Sequence, residues 1–505
     1  MAADLTTRKT TRWTTPKAAP AVLWATIAAV LAIRLLHMRD GASPDEGGFL
    51  VVASQWHSGG SSLYGDYWVD RPPLLITVFK LIDLLGGVVA LRIVGALICA
   101  LTIWMLHSTA RRVFGERPAA WTAITAGALL ISPLYGAIDV NGELIALPFV
   151  VLGIRLAVEA VLAEDGLVAR LAALGAGMAA VAAVLVKQNM ADVVVFAAIA
   201  WVVGWRVRRI SGSRLLALVG FAALGAVLAY ALVMLWALAH GTSPYAAYEA
   251  TYPFRVKAGE LIADDLRTSS SERLRNLVHA FLGSMVPIVL AATAVFGLRR
   301  SREPWMLFAL AGLLAWGAFS VLAGGSYWLH YLIETLPAVA LSAGVLAAAA
   351  PRIVRPVVGL VALSGLIAGT TVIFSPTPTP GTEIGRALDA VARPGDTVIS
   401  AFGDADILRV TGMRSPYPYL WSLPSRVRDP EMTLLRGVLT GPDAPAWIVV
   451  RGPGTETRLK RRGAMAEITD RYRKVGTVCE RNIYLRDDLE RSAPVTPAGA
   501  DCGPR

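Results

Sequence analysis

The chain has 505 residues, 55% of them hydrophobic, and a mean hydropathy of +0.54. This apolar excess excludes an ordinary soluble protein and predicts a polytopic membrane protein. The net charge of +11 is carried by short basic clusters between apolar runs, which is typical of cytoplasmic membrane loops and not of a nucleic-acid-binding surface. The three cysteines form no Cys-x-x-Cys motif, so neither a structural zinc site nor a redox motif is predicted.

Eleven apolar segments come close to the roughly 20 residues that cross a bilayer core, and we predict that they form a membrane domain over residues 20–374. A basic tail, residues 1–19, precedes the first segment without a cleavage signal, so this segment is expected to remain as a span. Segment 72–87 is short, begins with two prolines and carries two charges, which favours a helix lying at the membrane interface. The predicted spans are 20–38, 88–108, 119–137, 143–163, 169–186, 190–206, 214–239, 277–298, 304–323, 331–350 and 356–374.

The arginines orient these spans, because basic clusters gather on the cytoplasmic side of a membrane. With the N terminus inside, the inner loops hold the clusters Arg111/Arg112/Arg117, Arg206/Arg208/Arg209/Arg214, Arg299/Arg300/Arg302 and Arg352/Arg355. Acids, aromatic residues and isolated cations then fall in the outer loops, which are 39–87, the turn at 139, 187–189, 240–276 and 324–330. The Ala-, Gly- and Arg-rich usage is typical of a GC-rich bacterial genome, so we expect a bacterial plasma membrane.

The sequence changes character after the last span. Residues 375–382 form a Pro/Thr-rich linker, and residues 383–505 alternate helix-like and strand-like stretches, which predicts a small α/β domain. The odd number of spans puts this domain outside the cytoplasm, where disulfides persist. Cys479 and Cys502 both lie in it and are expected either to form a disulfide or to remain as two free thiols.

The first outer loop, residues 39–87, is longer than a connector requires and concentrates acids and aromatic residues, so we interpret it as a functional site. Asp45 and Glu46 stand between a proline and two glycines, which predicts the start of a surface helix whose dipole favours a carboxylate. An ordinary solvated loop is the alternative. Arg71, with Asp70 beside it, precedes two prolines, where a guanidinium is suited to binding a substrate phosphate or a lipid headgroup.

Other outer loops supply further candidates. Asp139 and Glu143 offer a second carboxylate facing Asp45, suited to binding a divalent metal ion (Mg²⁺, Mn²⁺ or Ca²⁺) between Asp45 and Asp139 or to orienting a sugar hydroxyl. No other cofactor is expected. The remaining candidates for substrate binding are cations, an amide and aromatic residues, namely Lys187, Gln188, Arg255, Lys257, Tyr327 and His330. Each has a bland alternative: a plain turn, a solvated loop or a structural histidine.

Four loop features together resemble one known family. An acid pair in the first outer loop is followed about 25 residues later by Arg71-Pro-Pro-Leu, an acid follows the third span, and Gly324-x-x-Tyr-x-x-His-Tyr-Leu opens a late span. This arrangement resembles the GT-C membrane glycosyltransferases, and among them the bacterial protein-mannosyltransferase and aminoarabinose-transferase-like branch. The resemblance covers spans 1 to 10, and the last third of the chain resembles no catalytic part.

The resemblance implies an enzyme that moves a sugar from a polyprenyl-phosphate donor to an acceptor on the outer face of the membrane. It implies that Asp45 is the general base with Glu46 beside it, that Asp139 is the second acid with Glu143 as its rival, and that Arg71 binds the donor phosphate where the branch commonly has lysine. Residue chemistry agrees, because a lipid phosphate is a good leaving group and a base with one or two cations suffices for a direct inverting displacement. A covalent route would need a second carboxylate as nucleophile.

Two other classes of function fit a polytopic chain. A transporter or flippase for a lipid-linked glycan would have charged or broken helices near mid-membrane, whereas the polar residues here gather at the outer ends of the spans. A non-catalytic glycan-assembly subunit would not require the acids and arginine of the first loop. The donor sugar stays open among mannose, arabinose, glucose and galactose, and so does the choice of a glycan, glycolipid or protein acceptor.

Overall fold

The computed structural model describes residues 18–38, 40–56, 62–264, 269–301, 303–374 and 378–503. Most of the predicted N-terminal tail, the first residue of the outer loop 39–87, Arg302 of one basic cluster and the first three residues of the predicted linker lie outside these ranges. The described part is mainly helical, with a small sheet towards its C-terminal end.

The membrane part is built from helices α1 to α17. A 3-10 turn at Pro133–Tyr135 precedes α6, a π turn at Thr293–Gly297 precedes α14, and a 3-10 helix at Leu329–Thr335 leads into α16. The helices are α1 (Ala18–Leu36), α2 (Pro44–Ser54), α3 (Pro73–Leu84), α4 (Val88–Phe114), α5 (Glu116–Leu130), α6 (Gly142–Leu162), α7 (Gly166–Val186), α8 (Asp192–Arg206), α9 (Gly212–Ala239), α10 (Pro244–Thr251), α11 (Pro253–Asp264), α12 (Ser269–Gly283), α13 (Val286–Ala292), α14 (Leu298–Arg300), α15 (Pro304–Ala323), α16 (Leu336–Ala349) and α17 (Val354–Phe374).

Each predicted span coincides with helix in this part, in agreement with the predicted multi-pass membrane fold. Seven of the described helices are long and apolar enough to cross a membrane, or eight if a pair bent by 58° between α12 and α13 counts as one span. Helices α5 and α8 have only 15 residues each, so the number of eleven spans stays a prediction. The 12 residues of α3 are too few to cross a core about 30 Å thick, which agrees with an interfacial helix.

Local chemistry explains where α2 begins. Ser43 is its N-cap, and Pro44 occupies the first turn, where a missing N–H costs nothing. The Ser43 hydroxyl accepts a hydrogen bond from the Glu46 backbone N–H, and the Glu46 carboxylate accepts one from the Ser43 N–H at 2.8 Å. This reciprocal capping fixes the helix start beside Asp45.

The C-terminal part confirms the predicted small α/β fold. Its four strands have the order β1-β2-β4-β3, with β1 and β2 parallel and the other pairs antiparallel, and Cys479 is disulfide-bonded to Cys502. The free-thiol alternative is therefore wrong in this structure. The elements are α18 (Pro380–Asp389), β1 (Val398–Ala401), α19 (Asp406–Thr411), α20 (Ser422–Arg428), α21 (Thr433–Thr440), β2 (Trp447–Arg451), α22 (Gly452–Arg461), α23 (Ala464–Arg471), β3 (Tyr472–Val478) and β4 (Arg481–Arg486).

The C-terminal part packs directly on α2. A Cβ added at Gly47 would lie 2.6 Å from the Cα of Asp406, so only glycine allows α19 to approach α2 this closely. The Arg409 guanidinium pairs with Asp83 of α3 at 2.6 Å, and one apolar core joins residues of both parts. The start of the outer loop is thus enclosed between the membrane helices and the C-terminal part.

Candidate active site

Asp45 lies in the first turn of α2 and is partly exposed. Its Oδ1 accepts a hydrogen bond of 2.9 Å from the indole Nε1 of Trp421, which comes from the C-terminal part. The charge of Asp45 also acts on Arg71 and on Asp139. A partly exposed carboxylate at a helix start, close to a cation and a second acid, is suited to accepting a proton.

Glu46, the next residue, is enclosed. It is 1% exposed and forms a two-pronged ion pair with Arg92 of α4, at 2.5 Å to Oε1 and 2.9 Å to Oε2. The backbone N–H groups of Ser43 and Val140 donate to the same two oxygens at 2.8 and 2.7 Å. Burial works to raise the pKa of Glu46, but Arg92 and these hydrogen bonds hold it below its usual value. The contacts are those of a supporting carboxylate, whereas the sequence grouped Glu46 with the catalytic residues.

Asp139 lies in the turn before α6, and this turn is held from two sides. The Val140 N–H binds Glu46, and the Arg34 guanidinium of α1 donates to the carbonyl oxygens of Ala137 and Ile138, the latter at 3.0 Å. Burial first, and then the charges of Glu46 and Asp45, raise the pKa of the Asp139 carboxyl to about 7. Asp139 is therefore suited to holding or releasing a proton near neutral pH.

Asp70 joins two arginines in front of α3. Its Oδ1 lies 2.8 Å from Nη1 of Arg71, and its Oδ2 lies 3.0 Å from Nη2 of Arg255 in α11. Phe49 lies on α2, one turn after Asp45. The Arg71 guanidinium lies over its ring, 5.6 Å from the ring centroid. Burial acts to lower the pKa of Arg71, but Asp70 and Asp45 outweigh it and raise the pKa. Both guanidinium groups thus converge on the same carboxylate of the first outer loop.

A third cation comes from the end of α7. Lys187 is buried, and its Nζ lies 2.9 Å from Oε1 of the fully buried Glu143 and over the ring of Tyr331 at 5.4 Å. The Nε2 of His330 lies 3.9 Å from the same Glu143 oxygen. Burial lowers the pKa of Lys187. The charge of Glu143 opposes this shift, and the positive charges of Arg71 and Arg255 add to it. Glu143 therefore offsets the charge of Lys187 and lies close to His330, and its place as the rival of Asp139 for the second acid stays a prediction.

The other predicted residues are placed less centrally. Lys257 is exposed on α11, and Gln188 has a buried amide oxygen without a hydrogen-bond partner in the described ranges. Tyr327 is partly exposed, in a left-handed conformation with φ of +52°, just before the 3-10 helix that carries His330. Among the residues that the structure describes, no group of three or more His, Cys, Asp or Glu is arranged to hold a metal ion. A metal at Asp45 and Asp139 stays a prediction.

Sequence reasoning missed three residues of this centre. Arg34 and Arg92 are arginines inside apolar helices, a pattern that marks functional or structural sites and was available in the sequence. Trp421 gave no such signal, because one tryptophan in a soluble-type segment indicates nothing by itself. Its role depends on a contact across 376 residues of chain.

The chain is similar to one protein family and to several solved structures. A family model described as dolichyl-phosphate-mannose-protein mannosyltransferase matches residues 70–236, a range that starts at Asp70 and includes Arg71, Asp139 and Lys187. No curated protein sequence matches the chain. The crystal structure of ArnT from Cupriavidus metallidurans bound to undecaprenyl phosphate is similar, with a TM-score of 0.60 at 16% identity, over 93% of this chain and 98% of that one. The chain has the GT-C fold.

Other solved GT-C structures agree. ArnT from the same organism in the apo state gives a TM-score of 0.61 at 16% identity, over 92% of this chain and 98% of that one. The Archaeoglobus fulgidus oligosaccharyltransferase tethered with an acceptor peptide gives 0.51 at 12% identity, over 80% of this chain and 64% of that one. The resemblance to GT-C glycosyltransferases drawn from the loops is confirmed, at the level of the fold.

Proposed function

We propose that this GT-C protein transfers a sugar from a polyprenyl-phosphate donor to an acceptor hydroxyl or amide on the extracytoplasmic side of a bacterial plasma membrane. One observation carries the proposal: Arg71 and Arg255 converge on Asp70 of the loop that also carries the partly exposed Asp45, and the charges of both arginines act on the nearby Lys187. A base beside an anion site is the combination that transfer from a sugar phosphate requires.

Each group then has a chemical task. Arg71 binds the donor phosphate and, with Arg255 and Lys187 behind it, neutralises the charge that develops as the sugar departs. Asp45 takes the proton of the acceptor as its oxygen or nitrogen attacks the anomeric carbon from the opposite side. The expected outcome is a direct displacement with inversion, because the neighbouring acid Glu46 is fully engaged by Arg92 and is unsuited to act as a nucleophile.

Asp139 assists in this scheme. Its pKa of about 7 suits it to orienting a sugar hydroxyl, as a hydrogen-bond donor or as an acceptor. Mg²⁺ is commonly held by one or two carboxylates together with substrate phosphates, so Asp45 and Asp139 would be its protein ligands if the reaction uses a divalent ion. The ion would supply positive charge beside the donor phosphate.

Two features support the donor class and the orientation. The similar ArnT crystal structure has undecaprenyl phosphate bound, and the similar archaeal oligosaccharyltransferase is tethered with an acceptor peptide, so this fold accommodates both a lipid phosphate and a peptide acceptor. The disulfide Cys479–Cys502 favours an oxidising compartment for the C-terminal part. A glycan, a glycolipid and a protein all remain candidate acceptors.

The test is a transfer assay with the purified protein and a panel of polyprenyl-phosphate sugars, including mannose, arabinose and aminoarabinose. We expect one donor to be consumed, and Asp45→Asn to lower turnover by roughly 10²- to 10⁴-fold while donor binding is retained, because the base is lost and the side-chain shape is kept. Asp66→Asn is the matched control, since Asp66 lies in the same loop and pairs with Arg414 at a largely exposed site.

Two results would contradict this proposal. Consumption of none of the donors would argue against a transferase, and transport of an intact lipid-linked glycan in vesicles would then favour a flippase. Turnover by Asp45→Asn within a few-fold of wild type would show that Asp45 is not the base, even if a donor were consumed.

A further inference from the structure

The C-terminal part contributes a side chain to the centre of the site. Trp421 precedes α20, and its indole Nε1 donates the 2.9 Å hydrogen bond to Oδ1 of Asp45. An indole N–H is a donor only, so it binds a carboxylate without competing for the proton that the carboxylate receives.

Gly48 and Phe49 of α2 form the seat against which this indole packs. Its ring centroid lies 5.3 Å from that of Phe49, at an interplanar angle of 36°. A Cβ added at Gly48 would lie 2.4 Å from Cζ2 of Trp421, so any larger residue at this position would displace the indole. Phe49 also lies under the Arg71 guanidinium. The same ring therefore contacts the indole that binds Asp45 and the arginine that we propose binds the donor phosphate.

The segment after Trp421 also reaches α10, the helix that precedes the one carrying Arg255. Arg428, at the end of α20, forms a two-pronged ion pair with Glu249 of α10 at 3.0 Å and lies over the ring of Trp68, 4.6 Å from its centroid. Both ends of this short stretch are thus attached to the loops of the site. Such attachment limits how far Trp421 can move away from Asp45.

We propose that Trp421 is a positioning residue that fixes the orientation of the Asp45 carboxylate, so that the C-terminal part completes the active site. The inference rests on the proposed function, in which Asp45 is the base. With Oδ1 held by the indole, Oδ2 is the oxygen that faces the acceptor. A carboxylate that rotates freely would spend less time in the geometry needed for proton transfer, and misplacement by about 1 Å can cost roughly 100-fold in rate.

Trp421→Phe tests this role because it keeps an aromatic ring in the seat and removes only the N–H donor. We expect kcat to fall by about 10- to 100-fold, while the KM for the donor stays within about twofold, since Arg71, Arg255 and Lys187 are untouched. Trp447→Phe is the matched control: Trp447 is a buried indole of the same C-terminal part that donates to Asp396 at 3.1 Å. It is expected to leave kcat unchanged per folded molecule.

Gly48→Ala covers the case in which Trp421→Phe does not fold. It leaves Trp421 in the chain but displaces its ring, so the same loss of kcat at unchanged donor KM is expected. Wild-type kcat in a folded Trp421→Phe or Gly48→Ala protein, or equal losses in Trp421→Phe and Trp447→Phe, would overturn the inference. If Asp45→Asn is inactive while Trp421→Phe is fully active, only the positioning role fails. If Asp45→Asn is active, Asp45 is not the base and the inference fails with that assignment; if the wild-type protein consumes no donor, the proposed function fails.

Discussion

Glu46 and Arg92 form the most enclosed ion pair of the site, with side chains 1% and 6% exposed. Two charges taken out of water stabilise a fold only while they stay paired, because the partner left behind keeps its desolvation cost. Asp45, one residue earlier, is turned by about 100° around the helix and remains accessible. The two neighbouring acids thus have different surroundings: Glu46 is enclosed and paired, whereas Asp45 is partly exposed.

Glu46→Gln should therefore act mainly on stability. We expect it to lower the free energy of unfolding by about 3 kcal/mol, because Arg92 loses its counter-charge in a buried position. The measurement is thermal or denaturant unfolding of the detergent-purified protein. Glu467→Gln, at an exposed pair with Arg436, is the control and should change stability by less than about 1 kcal/mol. A Glu46→Gln protein of normal stability that has lost all turnover would restore the catalytic role that the sequence suggested.

Among the secondary-structure elements, the turn before α6 is held in place by side chains of two helices. Helix α1 binds it through Arg34, and helix α2 binds it through Glu46. Neither contact uses the Asp139 side chain, so the turn presents this carboxyl to the site. Helix α2 also contacts Arg71, through the ring of Phe49 midway along the helix.

The raised pKa of Asp139 predicts how stability varies with pH. Between its usual pKa near 4 and its folded-state pKa of about 7, the folded protein holds a proton that the unfolded chain has released, so stability falls as pH rises through this window. Asp139→Asn removes this dependence, and its Tm should therefore decline less than that of wild type between pH 4.5 and 8. Asp66→Asn should keep the wild-type slope. Identical slopes in Asp139→Asn and wild type would show that Asp139 does not titrate in this window.

At the scale of the whole molecule, the C-terminal part is joined to the membrane helices by ion pairs and by a shared apolar core. Its side chains reach α2, α3 and α10, which are all elements around the site. This arrangement requires the C-terminal part and the first outer loop to lie on the same side of the membrane.

Labelling of single cysteines in intact cells tests the proposed orientation. A cysteine introduced at Gly59, which lies outside the described residues, should react with an impermeant thiol reagent, because the first outer loop faces out. A cysteine at the exposed Ser211, between α8 and α9, should react only after the membrane is permeabilised. The opposite pattern would place the first outer loop and the C-terminal part in the cytoplasm, and labelling at both positions would mean that segment 72–87 crosses the membrane.

Much of the fold could be predicted from the sequence because its causes are local. The apolar segments are set by composition alone, and the start of α2 follows from a serine, a proline and a glutamate within four positions. The candidates Asp70, Arg71, Glu143, Lys187, Arg255 and His330 were also found in this way, since charged groups at helix ends are conspicuous in an apolar chain. The structure joins them through ion pairs into two groups, one around Asp70 with Arg71 and Arg255 and one around Glu143 with Lys187 and His330.

The groups that each charge faces are set by long-range packing. The local pattern predicts that Asp45 and Glu46 start a helix, but Arg92 is 46 residues from Glu46 and Trp421 is 376 residues from Asp45. Such partners are selected by the packing of whole helices and of the C-terminal part, which no local pattern encodes. The linker predicts a separate domain appended to the membrane helices. In the structure, Gly47 and Gly48 instead allow this domain to pack directly against α2, beside Asp45. The physical reason is that burial and charge pairing arise only when segments distant in sequence pack together. These two effects distinguish an enclosed, paired carboxylate from an accessible one.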